Sequence, residues 1–248
     1  MLGSRYSLAV TLALGLVMPW TAFAGKVAAN EIVDVSVNHV FAPTGFDDND
    51  QAQVVVDGMF PNSCYQIAPS SFTIDQENWA IKVYPKAEVR DAVCMQVLVP
   101  FSQVIDLGVL PKGDWTIQTG DSEHTKALNI KEANNAGPDD ELYAAIDNAF
   151  VTYDHEVGSD VVILEGRYTN SCMTWKKSQV IHEAPDVIEI LPIVRIDLVE
   201  DCEDIEYAFK NVKVPLPNTL TSGRYLLHIR SMHGRAVNRV FSVNPEFR

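Results

Sequence analysis

Apolar and polar positions alternate along most of the chain, the period of a strand with one face in a core. In the first half "AIKVYP" (80–85), "AVCMQVLV" (92–99) and "WTIQT" (115–119) predict strands. "DVVILEG" (160–166), "VIEILPIVRI" (187–196) and "RYLLHIR" (224–230) do so in the second. These segments are rich in β-branched and aromatic residues and are bounded by Gly, Pro, Asn and Asp. "DDELYAAIDNAF" (139–150) has some helical character. It aligns with the plainly alternating "EIVDVSVNHVF" (31–41), so it too is expected to be a strand.

That alignment belongs to a longer repeat. "PNSCYQIA" at 61–68 returns as "TNSCMTWK" at 169–176, and Gly58, Cys64, Cys94 and Phe101 recur as Gly166, Cys172, Cys202 and Phe209, all at an offset of 108. Leu110-x-x-Gly113-x-Trp115 recurs as Leu220-x-x-Gly223-x-Tyr225 at an offset of 110, which implies a two-residue insertion in the second copy. Val33, Val35, Val37 and Phe41 match Leu142, Ala144, Ile146 and Phe150 at 109. The chain is an internal duplication, and each copy, at about 105 residues, has the usual size of one domain. Four cysteines allow three pairings. The common spacing selects Cys64–Cys94 and Cys172–Cys202, because cross-pairing would tie two separately folding units and has no reason to keep that spacing. In the chain-entropy model each closed loop would contribute roughly 3–4 kcal/mol.

About seven short strands per copy argue for an all-β fold of two tandem β-sandwiches, each with one internal disulfide. Gly137-Pro138 and neighbouring acids interrupt the apolar pattern at "EANNAGPDDE" and mark a linker over 132–141. The expected modules are 25–131 and 142–248. Residues 1–24 fit a signal peptide: Arg5, the apolar run Leu8–Val17, and the small-x-small sequence Ala22-Phe23-Ala24. That run is shorter than the about 20 apolar residues a spanning helix needs, and no later stretch is as apolar, so no integral membrane segment is expected after cleavage. Cysteine usage then places the protein in a periplasmic or extracellular, oxidising setting.

The Leu-x-x-Gly-x-aromatic motif followed by alternating apolar residues resembles the tyrosine-corner region of immunoglobulin-like and fibronectin type III-like sandwiches. That resemblance implies immunoglobulin-like modules in which Trp115 and Tyr225 open the sixth strand. No cysteine follows either residue by two positions, as it does in antibody domains, so the bridge is expected elsewhere. It would pin the end of the second strand to the segment entering the fifth.

Charge narrows the partners. The chain carries 19 Lys and Arg against 33 Asp and Glu, a net charge of −14. Such a surface repels phosphate backbones and anionic headgroups, so nucleic acid is not an expected partner. Basic residues do gather near the C-terminus, where Arg224, His228, Arg230, Arg235 and Arg239 follow an acidic stretch holding nine acids over 183–206. Two interpretations compete: two solvated faces that neutralise one another, or a basic patch that recruits an acidic partner or a second copy of the chain.

Sites of chemistry are sparse. His155 and His182 lie beside carboxylates but form no spaced ligand set, and no G-x-S-x-G elbow or phosphate-binding glycine loop occurs. The serines of the two Asn-Ser-Cys copies are expected to be turn residues. Asp47, Asp48 and Asp50, with Asp139, Asp140 and Glu141 in the linker, are weak calcium candidates. They lack the glycine and distant glutamate of an EF-hand loop, so solvated turns are expected. No catalytic residue and no cofactor is implied. The expected function is that of an exported, non-catalytic binding or assembly protein in adhesion or envelope scaffolding, with a protein partner or self-association. The alternatives are a periplasmic chaperone, whose two-sandwich representatives use a basic cleft between domains, and a secreted hydrolase or protease inhibitor.

Overall fold

The computed structural model describes residues 30–121, 123–197 and 202–244; the expected signal peptide lies outside them. All regular structure among these residues is β. The first module comprises β1 (Glu31–Asp34), β2 (His39–Phe41), β3 (Ala52–Phe60), β4 (Tyr65–Asp75), β5 (Ala80–Val89), β6 (Val99–Gly108), β7 (Gly113–Thr119) and β8 (Thr125–Ile130). The second comprises β9 (Ala145–Asp154), β10 (Ser159–Tyr168), β11 (Met173–Ile181), β12 (Val187–Ile196), β13 (Tyr207–Pro215), β14 (Gly223–Ser231) and β15 (Arg235–Val243). The segment that resembled a helix is therefore strand β9 with its lead-in.

Each module packs two sheets over one core. In the first, β2–β3–β6 faces a sheet in which β5 pairs with β4, β1 and β7, and β7 with β8. In the second, β9–β10–β13 faces β11–β12–β14–β15. Equivalent residues fill the two cores: Val54, Val56, Ile81, Ile117 and Trp115 in one, and Val162, Leu164, Ile188, Leu227 and Tyr225 in the other. The first strand serves both sheets. β1 pairs with β5 and β2 with β3, while in the second copy β9 pairs with β10 and Tyr143 alone bridges to Ile193 on β12. The strand order differs from that of an immunoglobulin domain in one respect. Counting β1 and β2 as one strand, the fourth strand joins the sheet of the third, sixth and seventh and runs parallel to the sixth, as in β5–β7 and β12–β14.

The aromatic corner is present in both copies. Trp115 Nε1 donates to the Pro111 carbonyl at 3.0 Å, and the Tyr225 hydroxyl donates to that of Thr221 at 3.1 Å, each reaching four residues back. Both residues lie near the start of the sixth strand, as the resemblance implied. One expected strand is absent. Residues 92–98 form an irregular loop, and β6 begins only at Val99. Their alternation has no sheet face to bury, so Val93, Met95, Val97 and Leu98 stay exposed.

The glycines that precede each Asn-Ser-Cys have a packing cause. Gly58 pairs with Phe101 across β3–β6 and Gly166 with Phe209 across β10–β13. A Cβ on Gly58 would lie 2.8 Å from the Phe101 ring, and one on Gly166 would overlap the Ala145 carbonyl and the Phe209 ring. Gly58→Ala and Gly166→Ala should each cost about 1–3 kcal/mol through overpacking, read as a lower urea midpoint. Phe101→Leu should rescue most of the loss at Gly58, whereas Phe209→Leu should not rescue Gly166→Ala, where the Ala145 carbonyl still blocks the Cβ.

Candidate functional site: the staples and the module junction

Both Asn-Ser-Cys motifs have the same geometry. Asn62 and Asn170 accept, through their side-chain oxygens, the amides of Cys64 and Cys172 at 2.9 and 3.0 Å. The Ser63 amide donates to the Met95 carbonyl and its hydroxyl accepts from the Met95 amide. Ser171 treats Glu203 in the same way. Met95 and Glu203 each follow a bridge cysteine, so every residue of the motif helps to clamp the loop entering the fifth strand. The bridges are Cys64–Cys94 and Cys172–Cys202, with Cα separations of 5.4 and 5.5 Å. As oxidised half-cystines they are not available as nucleophiles.

Two members of the acidic and basic sets considered as separate sites, Asp50 and Arg230, meet at one place. Phe41 and Val55, on the outer face of the first module, pack against Val187 and Leu226 on the outer face of the second, and all four are buried. Polar contacts surround this plug. Asp57, buried on β3, accepts Arg224 Nε at 2.7 Å and lies 2.9 Å from His39 Nδ1. Asn238 Nδ2 donates to the Gln53 side chain at 3.0 Å, and Lys126 pairs with Asp186. Arg230 donates to Asp50 at 2.8 Å, with both side chains at 3% exposure or less, and to the Pro138 carbonyl at 3.0 Å. Its guanidinium lies 5.7 Å from the centre of the Phe46 ring and 6.0 Å from that of Tyr143.

The expected basic patch is thereby corrected. His228 and Arg230 are buried, and Arg224, with its side chain 32% exposed, reaches back to Asp57, so these three are engaged at the junction of the modules. Arg239 donates to the Ala149 carbonyl and the Asn148 side chain within its own module, and Arg235 to the Met232 carbonyl. The acids of the calcium hypothesis are engaged as well. Asp47 accepts the Asn49 amide, Asp48 accepts the linker amide of Ala133, and Asp139 accepts the amides of His233 and Gly234 at 2.7 and 2.8 Å. Asp140 and Glu141 are exposed in the linker. Among the described residues no three of His, Cys, Asp and Glu converge on a common metal position. His155 lies edge-on to Tyr153 and His182 to Tyr225.

Comparison of the two copies would have located this junction. Val187 and Leu226 correspond to Ala80 and Thr116, Glu189 and His228 to Lys82 and Gln118, and Arg230 to Gly120, because the parallel pairs β5–β7 and β12–β14 share one register. The second copy carries Val187, Glu189, Leu226, His228 and Arg230 at outward positions where the first has the small or polar Ala80, Lys82, Thr116, Gln118 and Gly120. β12 is accordingly buried on both faces, and its near-continuous apolar run is the sequence sign of that.

Burial at the junction moves three titrating groups. The Glu189 carboxyl is pushed up to about 7 by desolvation, partly offset by Arg230 and Lys131. The His228 ring is pushed down to about 4 by desolvation, against its bond to Asn238. The Tyr143 phenol rises to about 12, again through burial. His228 is therefore neutral at neutral pH. Its Nδ1 lies 2.8 Å from the Asn238 side-chain oxygen and its Nε2 has no partner in the protein.

Residues 54–130, which run from β3 to the end of β8, match the ORF11 beta-sandwich domain family. No match was found among curated proteins or solved structures.

Two outcomes follow for stability. Asp50→Ala leaves the Arg230 charge buried without its carboxylate and should cost about 3–5 kcal/mol, most of which the double variant Asp50→Ala/Arg230→Met should restore; urea unfolding measures both. Glu189 stabilises less as pH rises from its ordinary 4.5 to about 7, since only the folded state holds the proton there. His228 stabilises more as pH rises from about 4 to its ordinary 6.5, since only the unfolded state is protonated there. The two slopes oppose and nearly cancel in the parent chain. Relative to it, Glu189→Gln should gain stability with rising pH between 4.5 and 7, and His228→Asn should lose it between 4 and 6.5. Each change should be on the order of 3 kcal/mol across its window, read from urea midpoints against pH.

Proposed function

We propose that the chain is an exported, non-catalytic two-module protein that engages a partner protein through the disulfide-held loop of its first module, in adhesion or envelope scaffolding. The supporting observation is the contrast between the two staple loops. In the first module Val93 is fully exposed, Met95 is 68% and Leu98 67% exposed, and Val97 is half-exposed. The equivalent loop of the second module reads "EDCEDIE", and among its described residues the acids Glu203, Asp204 and Glu206 are exposed, with Ile205 the single exposed aliphatic side chain. Four large apolar side chains gathered on one loop are the usual mark of a binding surface. The Cys64–Cys94 bridge and the Ser63 hydrogen bonds to Met95 hold that loop in place before any partner arrives, which lowers the ordering cost of association. Two oxidised bridges fit an exported setting.

A second possibility, a chaperone that captures a strand, is favoured by one feature. β4 pairs only with β5 among the described strands and leaves Phe72 and Ile74 exposed along its open edge. The cleft between the modules, however, is lined by more carboxylates than cations, the reverse of the basic cleft such chaperones use.

Crosslinking in the native envelope, followed by pull-down, tests the proposal. The parent chain should yield a specific protein adduct that is lost in Met95→Asp/Leu98→Asp, while the melting temperature of the variant is unchanged. An adduct of undiminished yield in that variant would remove the loop from the account. Adduct formation blocked instead by an extended apolar peptide would favour the chaperone.

A further inference from the structure

Beside the junction lies a cleft of about 220 Å³, smaller than the ~300–1,000 Å³ that hold drug-sized ligands. It is framed by the loop before β3, the linker and the outer face of β12. Four carboxylates line it, those of Asp47, Glu132, Asp140 and Glu189, against the two cations Lys131 and Arg230. Arg230 is already neutralised by Asp50 and Glu132 by Lys112, neither partner being a lining residue, which leaves Asp47, Asp140 and Glu189 against Lys131. The cleft thus has an excess of negative charge that the chain does not compensate.

Two buried polar groups lie in its wall. Glu189 is 4% exposed, and its carboxylate has the Thr44 hydroxyl beside it but no Lys or Arg at ion-pair distance among the described residues. Tyr143 is 2% exposed, and its hydroxyl makes no hydrogen bond in the protein, although the ring is held against Arg230. Neither is a fully buried orphan, since the atoms of that kind among the described residues are Asn49 Oδ1 and His228 Nε2, so the Glu189 and Tyr143 oxygens open onto the cleft, where a ligand's donors can reach them. The same wall also contains Ile181 and Leu191, so one side is apolar. A metal ion fits poorly, since a hard cation requires several converging oxygens and no such group of acids is present among the described residues. A cation with an alkyl stem meets every feature: its methylenes would lie along Ile181 and Leu191 and its N–H groups would donate to Glu189 and Tyr143.

We propose that this cleft is a binding site for a primary alkylammonium group, with Glu189 as its counter-charge and the Tyr143 hydroxyl as a second acceptor. A free amine and a lysyl side chain of another polypeptide both present this group, and two probes separate these sources: 1,4-diaminobutane and the capped tripeptide acetyl-Gly-Lys-Gly-amide.

Isothermal titration calorimetry of the full chain at pH 8, where Glu189 is ionised, provides the test. At least one probe should bind with one site per chain. Glu189→Gln should weaken it at least tenfold, and Tyr143→Phe, which keeps the ring against Arg230, should weaken it by a smaller factor. Glu77→Gln, in the exposed β4–β5 turn, should leave it unchanged. Preference for the diamine assigns a free amine, and preference for the tripeptide a lysyl side chain. No binding of either probe at 20-fold molar excess up to millimolar concentration (roughly the weak limit of a specific site) would overturn the proposal. So would binding that Glu189→Gln leaves intact, or displacement of the probe by calcium at matched ionic strength, which would identify a metal site instead. Melting curves of the variants separate lost binding from lost folding, and if Glu189→Gln fails to fold, Tyr143→Phe alone must show the weakening.

Discussion

The buried pair between Arg230 and Asp50 is the constraint on which the arrangement of this molecule rests. A guanidinium with almost no exposure is tolerated only if a carboxylate reaches it, and that carboxylate comes from the other module, 180 residues away in sequence. Phe46 and Tyr143 flank the guanidinium, and the Pro138 carbonyl takes one of its donors. The loop before β3, the linker and β14 are thereby fixed relative to one another by a single side chain. The apolar plug of Phe41, Val55, Val187 and Leu226 supplies the non-directional attraction. The ion pair supplies direction, since an unpaired charge there is costly in any other docking geometry.

Duplication explains why the junction is one-sided. The two copies differ in cover at the first strand: Phe41 on β2 is fully buried at the junction, whereas its counterpart Phe150 on β9 is 43% exposed. The second copy carries Val187, Leu226 and Arg230 on the opposite sheet, where the first has Ala80, Thr116 and Gly120. Divergence at outward positions thus turned two equivalent sandwiches into an ordered pair. The staple loops diverged as well, one to apolar side chains and the other to acids, while the hydrogen bonds of the Asn-Ser-Cys turns stayed the same.

Much of the fold was legible in the sequence. Paired cysteines, glycines and aromatic residues at one offset disclosed the repeat, and the repeat selected the disulfides. Alternating segments coincide with β1, β2, β5, β7, β9, β10, β12 and β14, because a period of two reports which residues share a face. It does not report whether a face has anything to cover, and both failures come from that. Residues 92–98 alternate like a strand yet bury nothing, since the clamp by Ser63 and Cys64 holds them off the sheet. His228 and Arg230 lie on the outer face of β14 and resembled a surface patch, because a count of local charge cannot see Asp50 in the other module. The sheet order, with a parallel pair at its centre, was hidden for a related reason: hydrophobic pattern sets strand faces but not which strands are neighbours.

The central claim is that the two sandwiches form one body joined through Arg230 and Asp50. Backbone amide relaxation of the full chain measures this directly. One rotational diffusion tensor should describe the amides of both modules, and in Asp50→Ala the data should require two. Separate tensors for the two modules of the parent chain would contradict the account.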